Sequence, residues 1–237
     1  KNAEMYNESS RCMIEKWDVN CTEHPQVCGA ALALQREYEF MAAACMDKFM
    51  LKTDRRVTKM MLKGYEQDKA ANAPQPKYRC LVWACPAHYY TNFTYWTQHC
   101  WGVTCVNDME AMLSYQPITI GDKEQALADL VRCYEKMMMR SHTNGGYVNL
   151  LDECWKMCEK FHTNIVIMYD HVSCKNVGGL HGLFEDQARE RGIHLIWIPH
   201  DVMDPRTVSR REMREAFSQY MVTVLNEKPL DPTLLDY

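Results

Sequence analysis

The sequence has no apolar run near the ~18 to 20 residues that a membrane-spanning helix requires, which excludes a bilayer span of that kind. It has no large excess of either charge. Its 27 basic and 31 acidic residues leave a net charge of -4, which is no footprint for a phosphate backbone, so nucleic acid is not an expected partner. No basic stretch followed by an apolar one opens the chain, and a secretory signal is not expected. The absence of any C-x-x-C excludes both a thioredoxin-type redox motif and a paired-knuckle zinc site. Gly-x-Gly-x-x-Gly is missing after every apolar run and Gly-x-x-x-x-Gly-Lys is missing altogether, so neither a dinucleotide fingerprint nor a P-loop is written here. Internal repeats and low-complexity tracts are also lacking.

What is present is a globular composition. With 47% apolar and 24% charged residues, 237 residues bury enough surface for one large domain, or for one domain with an attached helical region. The 12 cysteines stay below the ~8–10% density of a small disulfide scaffold and are read as reduced thiols. Together with 17 methionines they point to a cytoplasmic setting in which sulfur oxidation is rarely a threat, that is, to anaerobic life.

The chain divides at a polar, proline-bearing stretch, Ala70-Ala71-Asn72-Ala73-Pro74-Gln75-Pro76. Residues 1–76 are rich in helix formers, and the spacing predicts helices over 30–50 (Leu34, Tyr38, Met41, Cys45) and 55–68. Residues 77–237 alternate short apolar runs, at 80–84, 103–106, 165–169 and 195–198, with amphipathic segments. One such segment carries the stripe Leu127, Leu130, Val131, Tyr134, Met137 and Met138 behind a box-like Asp122-x-x-Gln125. A second carries Val148, Leu151, Trp155 and Cys158 behind Gly145-Gly146, and the last, capped by Ser209-x-x-Glu212, carries Met213, Phe217 and Met221. The fold class expected is α/β, a doubly wound four-stranded parallel sheet over 77–237 with an N-terminal helical region and linker over 1–76 and a C-terminal tail.

Sheets of this kind bind ligands beyond the carboxyl ends of their strands, which directs attention to four loops. The loop after the third run, Asp170-His171-Val172-Ser173-Cys174-Lys175-Asn176-Val177-Gly178-Gly179, packs an imidazole, a hydroxyl, a thiol and an ammonium just ahead of a helix. A helix start and a neighbouring lysine both favour thiolate over thiol, and so favour metal ligation or nucleophilicity at Cys174. A buried thiol in an ordinary turn is the alternative reading. Gly178 and Gly179 are candidate anion contacts, although a purely conformational need explains them as well. Cys85, with His88 three residues on, is the second metal-ligand candidate, since it ends the first run and faces the same crevice. Asn107-Asp108 and 199–206 complete the strand ends, with Asp201 and Asp204 each within reach of Arg206. Cys154 and Cys158 lie one helical turn apart; that spacing serves a shared metal or core packing, and core packing is expected. The remaining cysteines are read as structural.

The segment 165–224 resembles the C-terminal domain of the 2-hydroxyacyl-CoA dehydratase and benzoyl-CoA reductase family. The resemblance rests on an apolar strand, then His171-x-Ser173-Cys174-Lys175, an amphipathic helix, Arg191-Gly192-Ile193 opening a strand, Asp201-x-x-Asp204-Pro205-Arg206, Ser209 and a final helix. Over 78–139 it rests on element order and an aromatic-rich first loop. The resemblance implies an oxygen-sensitive heterodimer with a second homologous subunit, each subunit holding a 4Fe-4S cluster. An activator hydrolyses ATP to deliver one low-potential electron, and the cluster passes it to an acyl-CoA thioester as a ketyl radical. Dehydratases then expel the hydroxyl at carbon 2, and benzoyl-CoA reductases dearomatise a ring. The resemblance matches Cys174 to a cluster-ligating position, assigns the other cluster cysteines to an N-terminal α/β domain, and makes 237 residues the later half of a family member. His171, Ser173 and Lys175 take catalytic roles beside the cluster or substrate in this reading, and Asp201, Asp204 and Arg206 structural ones.

Overall fold

A computed structural model describes residues 2–29, 31–32, 48–109, 117–136 and 138–236, with the side chains of 138–144 excepted. By contacts the chain forms two compact units, one of residues 1–27, 35–75 and 111–150, the other of 28–34, 76–110 and 151–237. The expected helix over 30–50 lies mostly outside the described residues.

The first unit is helical. Helix α1 (Asn2–Asn20) packs on α2 (Lys48–Ala70), which covers the segment expected at 55–68. Between them Lys16 Nζ reaches Asp54 Oδ1 at 3.2 Å and the Ser9 hydroxyl donates to Asp54 Oδ2 at 2.5 Å, all three side chains being buried. Such a pair is tolerated inside because each partner satisfies the other. Helix α4 (Lys123–Glu135) also belongs to this unit. Asp122 caps it by accepting from the Gln125 amide, but the return bond of a full box is missing because Gln125 Nε2 donates to Asp129 Oδ1 instead, at 2.9 Å. Of the apolar stripe read from the sequence, Leu127, Leu130, Val131 and Tyr134 are exposed, Met137 and the Met138 side chain lie outside the described residues, and the buried residues of the helix are Asp129 and Cys133. Asp129 wins the inner side because Thr119, Gln125 and Arg132 all donate to its carboxylate. The long helix α5 (Met138–Lys160) bends at Gly146 (φ 69°, ψ −168°), and its last turns, from Leu151, belong to the second unit.

The second unit is a four-stranded, all-parallel sheet with helices. Strands β1 (Tyr78–Trp83), β2 (Val103–Asp108), β3 (Ile165–His171) and β4 (His194–His200) lie in the order β2-β1-β3-β4. The central strands read as unbroken apolar runs because both of their faces are covered. Helix α3 (Phe93–Trp101) returns the chain from β1 to β2 and ends at Gly102, whose φ of 70° is the left-handed conformation an αL cap requires. On one face Phe93 meets Trp96, Tyr169 and Phe217 at ring separations of 5.6, 6.1 and 5.9 Å. Phe217 comes from α8 (Arg210–Thr223), which starts in the full Ser209/Glu212 capping box that the sequence signals. Elsewhere in this unit Phe184 of α7 (His181–Arg191) packs edge-on to Trp155 at 5.8 Å and Trp197 at 6.2 Å. The short helix α6 (Lys175–Gly178) precedes α7. Cys154 and Cys158 are buried, as core packing requires.

Candidate functional site at the carboxyl ends of the strands

In this strand order β1 and β3 are neighbours whose connections leave in opposite directions, which opens a crevice between their carboxyl ends. The strands reach further toward that crevice than the apolar runs suggest. Asn107 and Asp108 belong to β2 and are buried, and Asp170, His171, Pro199 and His200 belong to β3 and β4, where His171 is in register with His200. Backbone bonds then join the three strand-end loops. The Val172 amide donates to the His200 carbonyl at 3.0 Å, and the His88 amide to the Val202 carbonyl at 2.9 Å. Arg210 adds a side-chain bond to the Tyr89 carbonyl at 2.7 Å.

Past β3 the chain turns at once, with the Cys174 amide donating to the His171 carbonyl at 2.9 Å. The turn sets Ser173 against His171: its amide and hydroxyl lie 3.1 and 2.9 Å from Nδ1. An amide only donates, so Nδ1 accepts and the neutral ring carries its proton on Nε2. Nε2 stands 4.0 Å from Asp201 Oδ2, beyond a direct hydrogen bond but within reach through a small closure or one water. Asp201 is itself fixed, accepting from the Met203 and Asp204 amides at 2.8 Å each; these bonds hold its carboxyl below the ordinary range. Asp204 pairs bidentately with Arg206, which brings it down to about 2. Of the two acids only Asp204 takes Arg206.

Cys174 is the N-cap residue of α6 and is partly exposed, with the exposed Lys175 next to it. Gly178 and Gly179 give their amides to the Cys174 and Lys175 carbonyls at 3.1 and 3.0 Å, so neither N–H is offered to an anion. Neither glycine has a positive φ, and a conformational need does not explain them; at Gly179 a Cβ would come within 3.0 Å of the Lys175 carbonyl oxygen. Across the crevice, Ala84 leaves β1 with φ 65°, a costly conformation for a residue with a side chain, and Cys85 follows it. Cys85 Sγ lies 3.8 Å from His88 Nε2.

Sequence reasoning assigned no role to His200, which the fold brings into this group. Its ring is fully buried, 5.3 Å from that of His171 and 5.0 Å from that of Tyr169, and neither nitrogen has a partner in hydrogen-bond geometry among the described residues. Burial, and then the neighbouring His171, push its pKa down, so it is neutral at pH 7. The signal that finds it is the strand register, not its own sequence context.

The described cysteines are thiols, and among the described residues no group of three or more His, Cys, Asp or Glu side chains is placed to hold a metal ion. A 4Fe-4S cluster is held by about four thiolates, and no such complete ligand set lies among the described residues. No helix of the described residues is long and apolar enough to cross a membrane.

Among curated proteins none matches the sequence. A family model described as 2-hydroxyglutaryl-CoA dehydratase, D-component, matches residues 1–221, from α1 through most of α8. A D-component is by its description one part of an enzyme built from several components. The match takes in both the helical unit and the sheet with its His171–Cys174 turn, and this chain therefore belongs to the 2-hydroxyglutaryl-CoA dehydratase D-component family.

Proposed function

We propose that this chain is a subunit of a radical 2-hydroxyacyl-CoA dehydratase working with a second homologous subunit and an ATP-hydrolysing activator. The observation that carries this reading is the position of Cys174. Cys174, partly exposed, is the N-cap residue of α6 beside Lys175 at the carboxyl end of β3, where its thiol is open to the crevice. Cys85 at the end of the neighbouring β1 is the second thiolate, and the remaining ligands come from outside the described residues. The cluster, when bound, supplies the low-potential electron for the acyl-CoA thioester carbonyl.

The chain's own residues handle protons and charge. His171, fixed by Ser173 with its proton on Nε2, is placed to donate a hydrogen bond from Nε2 to the hydroxyl that leaves carbon 2, with Asp201 beside the same nitrogen to orient the ring. Lys175 faces the anionic side of the substrate. The family's description names a dehydratase, which favours dehydration over ring reduction.

Iron and acid-labile sulfide analysis with electron paramagnetic resonance after reduction tests this on anaerobically purified protein with its partner subunit. Wild type should contain both elements, and Cys174→Ala should lose or alter the signal. Iron-free wild type would sink the reading. Turnover of benzoyl-CoA but not of a 2-hydroxyacyl-CoA, with activator and ATP, would replace the dehydratase by a ring reductase.

A further inference from the structure

Four arginines fall between Arg206 and Arg214, and the structure divides them into two kinds. Arg206 is neutralised by its bidentate pair with Asp204, and Arg211 by Glu215 at 2.7 Å. Arg210 and Arg214 meet no carboxylate within ion-pair distance among the described residues. They stand four residues apart on one face of α8, a spacing at which like charges repel. Both reach the short turn His88–Tyr90 that follows β1, and both end on uncharged oxygens. Arg210 Nη2 donates to the Tyr89 carbonyl at 2.7 Å, and Arg214 Nη1 to the Tyr90 hydroxyl at 3.0 Å. Their guanidinium carbons lie 5.4 and 5.9 Å from the centre of the same Tyr90 ring.

A ring face and two neutral acceptors fix where these guanidiniums stand without cancelling their charge. Arg214 is half-buried, and its Nε is buried with no hydrogen-bond partner among the described residues. Taking a cation out of water in this way is costly unless an anion meets it. A phosphate group is the anion that suits such a pair, because the planar fork of each guanidinium offers paired donors to its oxygens. The pair also adjoins the crevice. The Tyr89 hydroxyl donates to the Val208 carbonyl at 2.6 Å, and burial first and the Asp201 charge second push the Tyr89 phenol up. This loop is therefore within electrostatic reach of Asp201, which stands 4.0 Å from His171 Nε2.

We propose that Arg210 and Arg214 hold a phosphate or pyrophosphate group at the edge of the crevice, and that this group is the phosphorylated end of the CoA thioester. The assignment to CoA rests on the acyl-CoA reading above, whereas the phosphate site does not. The anion accepts from Arg210 Nε and Nη1 and from Arg214 Nη2, the donors that the two tyrosines leave open. It replaces a repulsion between two cations by two attractions, and no covalent bond forms or breaks.

The test is isothermal titration calorimetry of the full chain with three probes: CoA, inorganic pyrophosphate, and pantetheine, which shares the thiol arm of CoA and has no phosphate. Wild type should bind CoA and pyrophosphate, and the two should compete. Arg210→Gln and Arg214→Gln should each weaken both about tenfold, as loss of a charge-assisted bond does, and leave the response to pantetheine unchanged. Arg210 is exposed, so Arg210→Gln serves alone if Arg214→Gln fails to fold. Equal weakening of CoA and pantetheine would mean that the arginines only fasten α8 to the loop, and it overturns the site. So does a wild type that binds neither phosphate probe. CoA and pyrophosphate binding that neither variant changes overturns the arginine pair and leaves the dehydratase reading intact. Binding of pyrophosphate but not of CoA, with the same loss in the variants, keeps the phosphate site and overturns its assignment to CoA.

Discussion

His200 is a buried imidazole whose nitrogens meet no hydrogen-bond partner among the described residues, and the cost of charging it there sets a pH dependence for the chain. Its folded pKa is lowered from 6.5, by burial first and by His171 second. Below 6.5 the unfolded state therefore takes up a proton that the native state refuses, and stability falls as pH drops from 6.5 toward the folded value; above 6.5 the contribution is complete. Asp204, held at about 2, acts only in a lower window, between the ordinary 3.8 and that value, so the two effects separate on the pH axis. Urea denaturation of the metal-free chain at pH 7.5, 6.0 and 5.0 should show a decline that His200→Phe flattens. An identical decline in the variant would assign the effect elsewhere.

At the scale of elements, the capped and the outward-facing helices give opposite expectations. Ser209 accepts from the Glu212 amide at 3.2 Å while Glu212 Oε2 accepts from the Ser209 amide at 2.6 Å, and α8 buries Met213, Phe217 and Met221. Ser209→Ala should cost about 1 kcal/mol in urea denaturation. On α4, Val131 is 56% exposed, and Val131→Lys should stay within about 0.5 kcal/mol of wild type by the same measurement. The same two helices mark how far the sequence is legible. α8 is readable because its cap and its buried stripe agree. The stripe on α4 misleads because periodicity reports that one side is apolar without reporting which side the fold buries, and Asp129, with its donors, takes the inner place. Strand cores such as 165–169 are legible as apolar runs. Strand ends are not, because Asp170-His171 and Pro199-His200 look like loop until the register pairs them. For the same reason the turn from His171 to Cys174 is visible in its residue types, whereas His200 gains meaning only from the strand beside it.

For the molecule as a whole, the two compact units rest on different physics, and the difference is measurable. The helical unit contains a buried ion pair, Lys16 with Asp54, and the Ser9 hydroxyl on the same carboxylate. Removing Asp54 takes its carboxylate away from the buried Lys16 ammonium and the Ser9 hydroxyl, which costs about 3–5 kcal/mol, far more than the intact pair contributes over an apolar replacement. The sheet unit contains no such dependence at Phe217, whose ring fills space against Phe93 and Trp96. Phe217→Ala costs a comparable ~3–5 kcal/mol through lost transfer energy and the cavity left behind. Global stability does not separate the two variants, but local opening does, because contacts are dense inside each unit. Hydrogen exchange read by mass spectrometry should therefore rise in α1 and α2 for Asp54→Ala and in β3, β4 and α8 for Phe217→Ala. An increase spread evenly over both units in either variant would mean that the chain opens as one cooperative body, and that the helical unit and the sheet are not separate folding units.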